Sequence, residues 1–139
     1  MTIGVSEIRQ LRLTAISDVI GALREIPEQV MPEIITRCTP GLMSREMRMS
    51  AGEVVVSKVH LSEHQFVIAA GACYVASDTE TVRLEAGHVG ITKPGTQRVI
   101  AAATDLVWVT FHATDMTDPD EFEASVTTDC MALPEVPDA

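Results

Sequence analysis

The sequence predicts a mainly β protein: one closed antiparallel barrel or jelly roll, with a helix before it and a short helix after it. Three observations carry this. From Met43 to Ala113 the chain is a series of short β-rich segments, near 44–49, 53–60, 65–70, 72–77, 81–85, 88–92, 96–102 and 106–113, punctuated by Gly52, Gly71, Asp78, Gly87 and Pro94-Gly95. Segments so closely spaced leave no room for crossover helices, so the strands must be antiparallel. Before them, apolar residues recur at helical spacing instead.

The first helix is expected over residues 6–26. Ile8, Leu11, Ala15, Ile16, Val19, Ile20 and Leu23 form one stripe, Ser6 can cap its start, and Pro27 ends it. Such a stripe packs on the domain or on another subunit, which is the reason to expect a homodimer or other homo-oligomer. Residues 27–41 contain Pro27, Pro32, Pro40 and Gly41 and read as a connector with one helical turn near 31–35. The division is therefore residues 1–40 as helix and connector, 41–116 as barrel, and 117–139 as short helix and tail. In the last part Asp118 can cap a helix, Pro119 suits its first position and Glu121 can close a capping box, giving a helix to about Ser125. The tail, with Pro134 and Pro137, is expected to fray.

A length of 139 residues fits one domain, and with 46% hydrophobic but only 4% aromatic residues the core must be built from Val, Ile, Leu, Ala and Met. The net charge of −10 repels phosphate backbones and anionic lipid, so no nucleic acid and no membrane are expected as partners. Asp115, Asp118, Asp120, Glu121 and Glu123 read as a solvated face. The cysteines, Cys38, Cys73 and Cys130, are odd in number and lack CxxC spacing, which excludes a disulfide framework and fits a reducing cytoplasm. The first residues, MTIGVSEIRQ, lack the basic start and apolar run of a signal peptide, and a cytoplasmic protein is expected.

The most informative stretch runs from Gly52 to Gly71 and carries His60 and His64 between β-rich flanks. The string His60-Leu-Ser-Glu63-His64 matches a zinc-peptidase motif, but that motif needs a helix to put both imidazoles on one side, and these flanks are strands. In a β context, alternation puts Val54, Val56, Lys58 and His60 on one face, and a tight bend at 61–63 returns His64 beside His60. Two converging imidazoles in a barrel mouth make a metal or ligand site. In the last strand Trp108, Thr110 and His112 share one face and Val107, Val109 and Phe111 the other; the second set reads as core, and the first either lines the pocket mouth or covers an outer face under the N-terminal helix. Trp108 reads first as packing and second as a ligand contact. His88 reads as a surface residue and Cys73 as a buried, inert thiol.

This stretch resembles the first cupin motif, G-x5-H-x-H-x3,4-E-x6-G. Counting back from Gly71, His64 stands where the motif has its glutamate, His60 where it has its second histidine and Lys58 where it has its first. Pro94-Gly95-Thr96-Gln97-Arg98 resembles the second motif, with Arg98 near its histidine. A closer resemblance, over residues 41 to about 123, is to small cupin-like proteins of tailed bacteriophages and prophages. It is carried by Gly41-Leu-Met-Ser-Arg45-Glu46, Gly52, Lys58-Val-His60, Glu63-His64, the 94–98 string and Val107-Trp108 through Thr114. Ser57 stands where those proteins have Gly, and Met43 where they usually have Tyr. The resemblance implies a cupin-type jelly-roll barrel and, through the phage setting, the cytoplasm of a bacterial host. It implies no reaction.

Three functions follow as expectations. In the first, the barrel binds a small polar or anionic ligand through Lys58, His60, His64, Arg98 and Trp108, because two inward cations favour a carboxylate or phosphate and Arg can grip it bidentately. In the second, His60, His64 and His112 hold a divalent metal (zinc, iron, nickel or manganese) in an oxygenase, isomerase or hydrolase. In the third, the barrel is a structural or assembly scaffold without catalysis. The bland reading of Lys58 is a snorkelling side chain, and that of Arg98 is a salt bridge to a carboxylate such as Glu85.

Overall fold

A computed structural model describes residues 31–77 and 80–128. The helix expected over 6–26 and the tail beyond 128 lie outside the described residues. Within them are eleven strands and one helix. In chain order these are β1 (Glu33–Thr39), β2 (Leu42–Met49), β3 (Val54–Val56), β4 (Val59–His60), β5 (His64–Ala70), β6 (Ala72–Ala76), β7 (Thr81–Glu85), β8 (Val89–Thr92), β9 (Val99–Ala102), β10 (Leu106–Ala113), α1 (Pro119–Val126) and β11 (Thr127–Thr128).

The strands form a five-stranded sheet in the order β1-β2-β10-β5-β8, a four-stranded sheet β3-β9-β6-β7, and a small pair β11-β4. All pairings are antiparallel. The core joins the inner faces of the two large sheets: Met49, Phe66, Ile68, Leu106 and Trp108 from one, and Cys73, Val75, Ile100 and Ala102 from the other. Although aromatics are scarce, two of them occupy its centre, with Phe66 stacked on Trp108 at 4.4 Å between centroids and 10° between planes.

β1 is a correction. Residues 31–35 were expected to form a helical turn in a connector, yet Glu33–Thr39 pairs along its whole length with β2, from Glu33↔Arg48 to Thr39↔Leu42. The prolines that suggested a connector bracket the strand instead. Pro40-Gly41 is a two-residue hairpin loop, with Gly41 at φ 76°. The β-branched residues Ile34, Ile35, Thr36 and Thr39 supply the strand propensity.

A second correction concerns β10. The two faces alternate as expected, but the set expected as core, Val107, Val109 and Phe111, is the outer one. Trp108 and His112 are buried, Thr110 is half-buried behind them, and Phe111 is 38% exposed. Val107 and Val109 are half-buried on the outer face. The interior at this end of the barrel is a polar pocket, so the more polar set faces inward. The expected strand 53–60 is also divided: β3 ends at Val56 and β4 begins at Val59, so the alternation from Val54 to His60 is broken and Val59 enters the core.

α1 begins as expected: the Asp118 carboxylate accepts hydrogen bonds from the backbone N–H groups of Asp120 and Glu121, and Pro119 is in the first turn. Its one buried residue is Phe122. Cys73 is fully buried and its thiol is pushed up by desolvation, which makes it unreactive.

Gly71, at the turn between β5 and β6, has φ +84°, and a Cβ there would collide with the backbone carbonyl of Asp105. Gly87 has a similar φ of +96° but open space around it. Gly87→Ala is therefore expected to cost only about 1 kcal/mol for the left-handed backbone, and Gly71→Ala about 3 kcal/mol or more, because the chain must also shift. Urea unfolding of the two variants checks this; equal losses would show that the contact with Asp105 is not limiting.

Candidate functional site

Two short connections build the site. The bend at 61–63 between β4 and β5 returns His64 to His60, whose rings stand edge to face at 4.9 Å. β5 pairs with β10, and across the sheet His64 meets His112 at 4.4 Å between centroids. The three imidazoles thus form one cluster. Phe122 closes it, with its ring 4.8 Å from that of His112. α1 is fastened there because β11 pairs with β4, placing Thr127 opposite His60, and because Leu61 N–H donates to the Val126 carbonyl at 2.7 Å.

Arg98 is placed by a second set of ties. Its backbone N–H donates to the Ser57 hydroxyl at 2.9 Å, and Ser57 N–H donates to the Arg98 carbonyl at 2.8 Å. Ser57, where the phage-type sequences have Gly, thus anchors the arginine backbone. The Arg98 guanidinium lies 5.1 Å from the centre of the Phe66 ring and 5.9 Å from that of Trp108, and it donates to the Thr92 hydroxyl at 2.8 Å. It forms no ion pair among the described residues. The expected alternative, a bridge to Glu85, is corrected: Glu85 pairs with Arg83.

Together these groups line a cavity of about 160 Å³. Its charged walls are Arg45, Lys58, Arg98 and Glu123, and its apolar walls include Met47, Val55, Ile100, Trp108 and Phe122. Lys58 is at its rim, 49% exposed and 3.7 Å from Glu123, so the inward-pointing cation expected here is an ion-paired one at the mouth. Trp108 serves both packing and pocket wall. His88 lies outside and is exposed, as expected.

Arg45, Thr92, Phe122 and Glu123 were not anticipated as site residues, whereas Trp108, Thr110 and His112 line the cavity together. A signal for Arg45 is present in β2: Met43, Arg45, Met47 and Met49 alternate on one face, and a lone arginine among inward methionines marks a buried charge. Among the described residues its Nε is buried without a hydrogen-bond partner, and its nearest carboxylate oxygen, on Glu123, is 3.9 Å away.

Electrostatically the cluster is neutral imidazole beside cations. Burial, then the neighbouring His64, Arg98 and Arg45, lowers His60 to about 4. Burial, then His64, Arg45 and His60, lowers His112 to about 3. His64 is lowered by burial too. Its Nδ1 lies 3.2 Å from the Ser62 carbonyl, which only accepts, so Nδ1 carries the proton and Nε2 offers a lone pair. His112 Nε2 bonds the Thr110 hydroxyl at 2.8 Å, and its Nδ1 is buried without a partner. As donors, the imidazoles have the neutral state a metal requires. No carboxylate joins them, two arginines flank them, and among the described residues no three His, Cys, Asp or Glu side chains are grouped to hold a metal ion.

No protein-family model and no curated protein matches the sequence. Solved structures do match the fold. An uncharacterised conserved protein of Klebsiella pneumoniae with a double-stranded β-helix domain superposes with a TM-score of 0.54 at 18% identity, over 63% of this chain and 81% of that one. A cupin superfamily protein of Desulfitobacterium hafniense gives 0.50 at 13% identity, over 63% and 84%. The chain has the cupin fold. The salicylate 1,2-dioxygenase of Pseudoaminobacter salicylatoxidans, in complex with gentisate, also superposes, with a TM-score of 0.54 at 20% identity. That match covers 77% of this chain but only 32% of the dioxygenase. At these identities the likeness speaks for the fold alone, and the site must be read from its own residues.

Proposed function

We propose that this cupin barrel is a binding module for a small organic anion, received by Arg98 and Arg45 with His60, His64 and His112 around it and Lys58 at the rim. The observation that carries this is Arg98: a half-buried guanidinium with a hydroxyl and two ring faces as partners but no carboxylate among the described residues. In a chain of net charge −10, the described residues line this cavity with three cations against one carboxylate. An uncompensated guanidinium in a partly desolvated site favours an anion strongly.

At low ionic strength, small carboxylates are expected to raise the melting temperature, by several degrees at concentrations of about a hundred times Kd. Arg98→Ala is expected to abolish that rise. A rise of equal size in the variant would remove the main support for the anion pocket.

A second reading places a divalent metal on His60, His64 and His112. The bare His64 Nε2 and the unpartnered His112 Nδ1 favour it; the flanking arginines oppose it. Plasma mass spectrometry of untagged protein, against a His60→Ala/His64→Ala control, separates the two. Near-stoichiometric metal lost in the control supports the metal reading and a search for oxidative or hydrolytic chemistry. The phage or prophage setting draws its support from the motif string of residues 41–123.

A further inference from the structure

We propose that the ligand is a dianion with two separated anionic groups, a short dicarboxylate, gripped by Arg98 at one end and Arg45 at the other. This deepens the anion reading above and rests on it.

The two arginines come from different sheets. Arg45 is in the middle of β2 in the five-stranded sheet, and Arg98 immediately precedes β9 in the four-stranded one. Both line the same cavity. Strand register fixes their positions: Arg98 is bonded to Thr92, which stands opposite His64, while Arg45 stands opposite Thr110, whose hydroxyl bonds His112. The imidazole cluster therefore lies between two cationic poles.

Each pole has an unmet demand. Arg98 is satisfied by one threonine hydroxyl, at 2.8 Å. Arg45 has a buried Nε with no acceptor, and the Glu123 carboxylate, 3.9 Å from Arg45 and 3.7 Å from Lys58, is beyond hydrogen-bonding reach of either. A monoanion would satisfy one guanidinium and leave the other half-buried without a charged hydrogen-bond partner. A compact dianion such as inorganic phosphate would meet the same limit, because its charge is at one point. Two carboxylates on a short apolar spacer meet both, with the spacer against Ile100 and Trp108 and the His112 Nδ1, buried without a partner among the described residues, able to donate to an oxygen between.

The test is titration calorimetry of the full chain at low ionic strength with malonate, succinate and glutarate, each against its monomethyl ester, and with inorganic phosphate. One diacid is expected to bind about tenfold or more tighter than its ester, the worth of one charge-assisted contact. Arg45→Met and Arg98→Met should each shrink that ratio toward one, and Arg45→Lys should restore part of it. Melting of each variant without ligand shows that the barrel is folded. Equal binding of diacid and ester, or a ratio unchanged in Arg45→Met, overturns the dianion while leaving the anion pocket standing. Phosphate outbinding every diacid overturns it too. Failure of every carboxylate and of phosphate overturns both readings.

Discussion

Trp108→Ala is expected to cost about 3–5 kcal/mol of stability, the range for truncating a large buried aromatic. Trp108 is 4% exposed, pairs across the sheet with Ile68 and Met47, and lies flat on Phe66, itself 4% exposed. Removing the indole empties the middle of the core and takes away half of that stack. With only 4% aromatic residues in the chain, nothing nearby is large enough to refill the space. A loss of this size is roughly a fifth or more of the stability typical for one domain. It should appear in urea unfolding followed by circular dichroism, since the substitution removes the chain's one tryptophan and its fluorescence. Trp108→Phe keeps a ring on Phe66 and should cost less than half as much. A midpoint shift worth under about 1 kcal/mol in Trp108→Ala would show that the stack is not the keystone of the core. The same variant bears on the site, because Arg98 rests over both rings.

How much of this was legible in the sequence depends on range. Short-range signals read true: the Asp118 cap, the bend that folds His64 back on His60, and the turn glycines at 41, 52, 71, 87 and 95, all with positive φ. The cupin fold followed from them together with the motif string. The faces of β10 did not, because alternation separates two sets of side chains without saying which is inside. The usual rule puts Val and Phe inward, and it fails where the interior is a polar pocket. β1 was hidden by its prolines, which mark the ends of a connector and of an edge strand alike. Arg45 stands in the phage-type string as one charged residue among several. Its role depends on β2 lying beside β10, a pairing that no local pattern encodes. The encounter of His112 with His64 is likewise a cross-strand fact.

Acid should begin to destabilise this barrel well above the pH at which its carboxylates protonate. His60 and His112 are held near 4 and 3 in the folded chain and return to an ordinary histidine value of 6.5 when it unfolds. The unfolded state therefore binds more protons between those values, and stability rises with pH across that window. The contribution is complete above about pH 6.5 and is lost as pH falls toward the folded values. Between pH 7 and 5, His60 alone accounts for about 2 kcal/mol, and His112 adds up to a similar amount, less what their mutual repulsion shares between them. Glu46 is held below its usual value of 4.5 by Arg48 and Arg37, so it works in the same direction but only at lower pH. The interval from 6.5 to 5 thus belongs to the imidazoles. Urea midpoints of chelator-treated protein at pH 7, 6 and 5 should fall steadily, and His60→Gln, which titrates nowhere in this range, should flatten the slope by about 1 kcal/mol per pH unit. An unchanged slope in that variant would mean that His60 takes up its proton as readily in the barrel as in water, and that the cluster is open to solvent rather than enclosed between the arginines and Phe122.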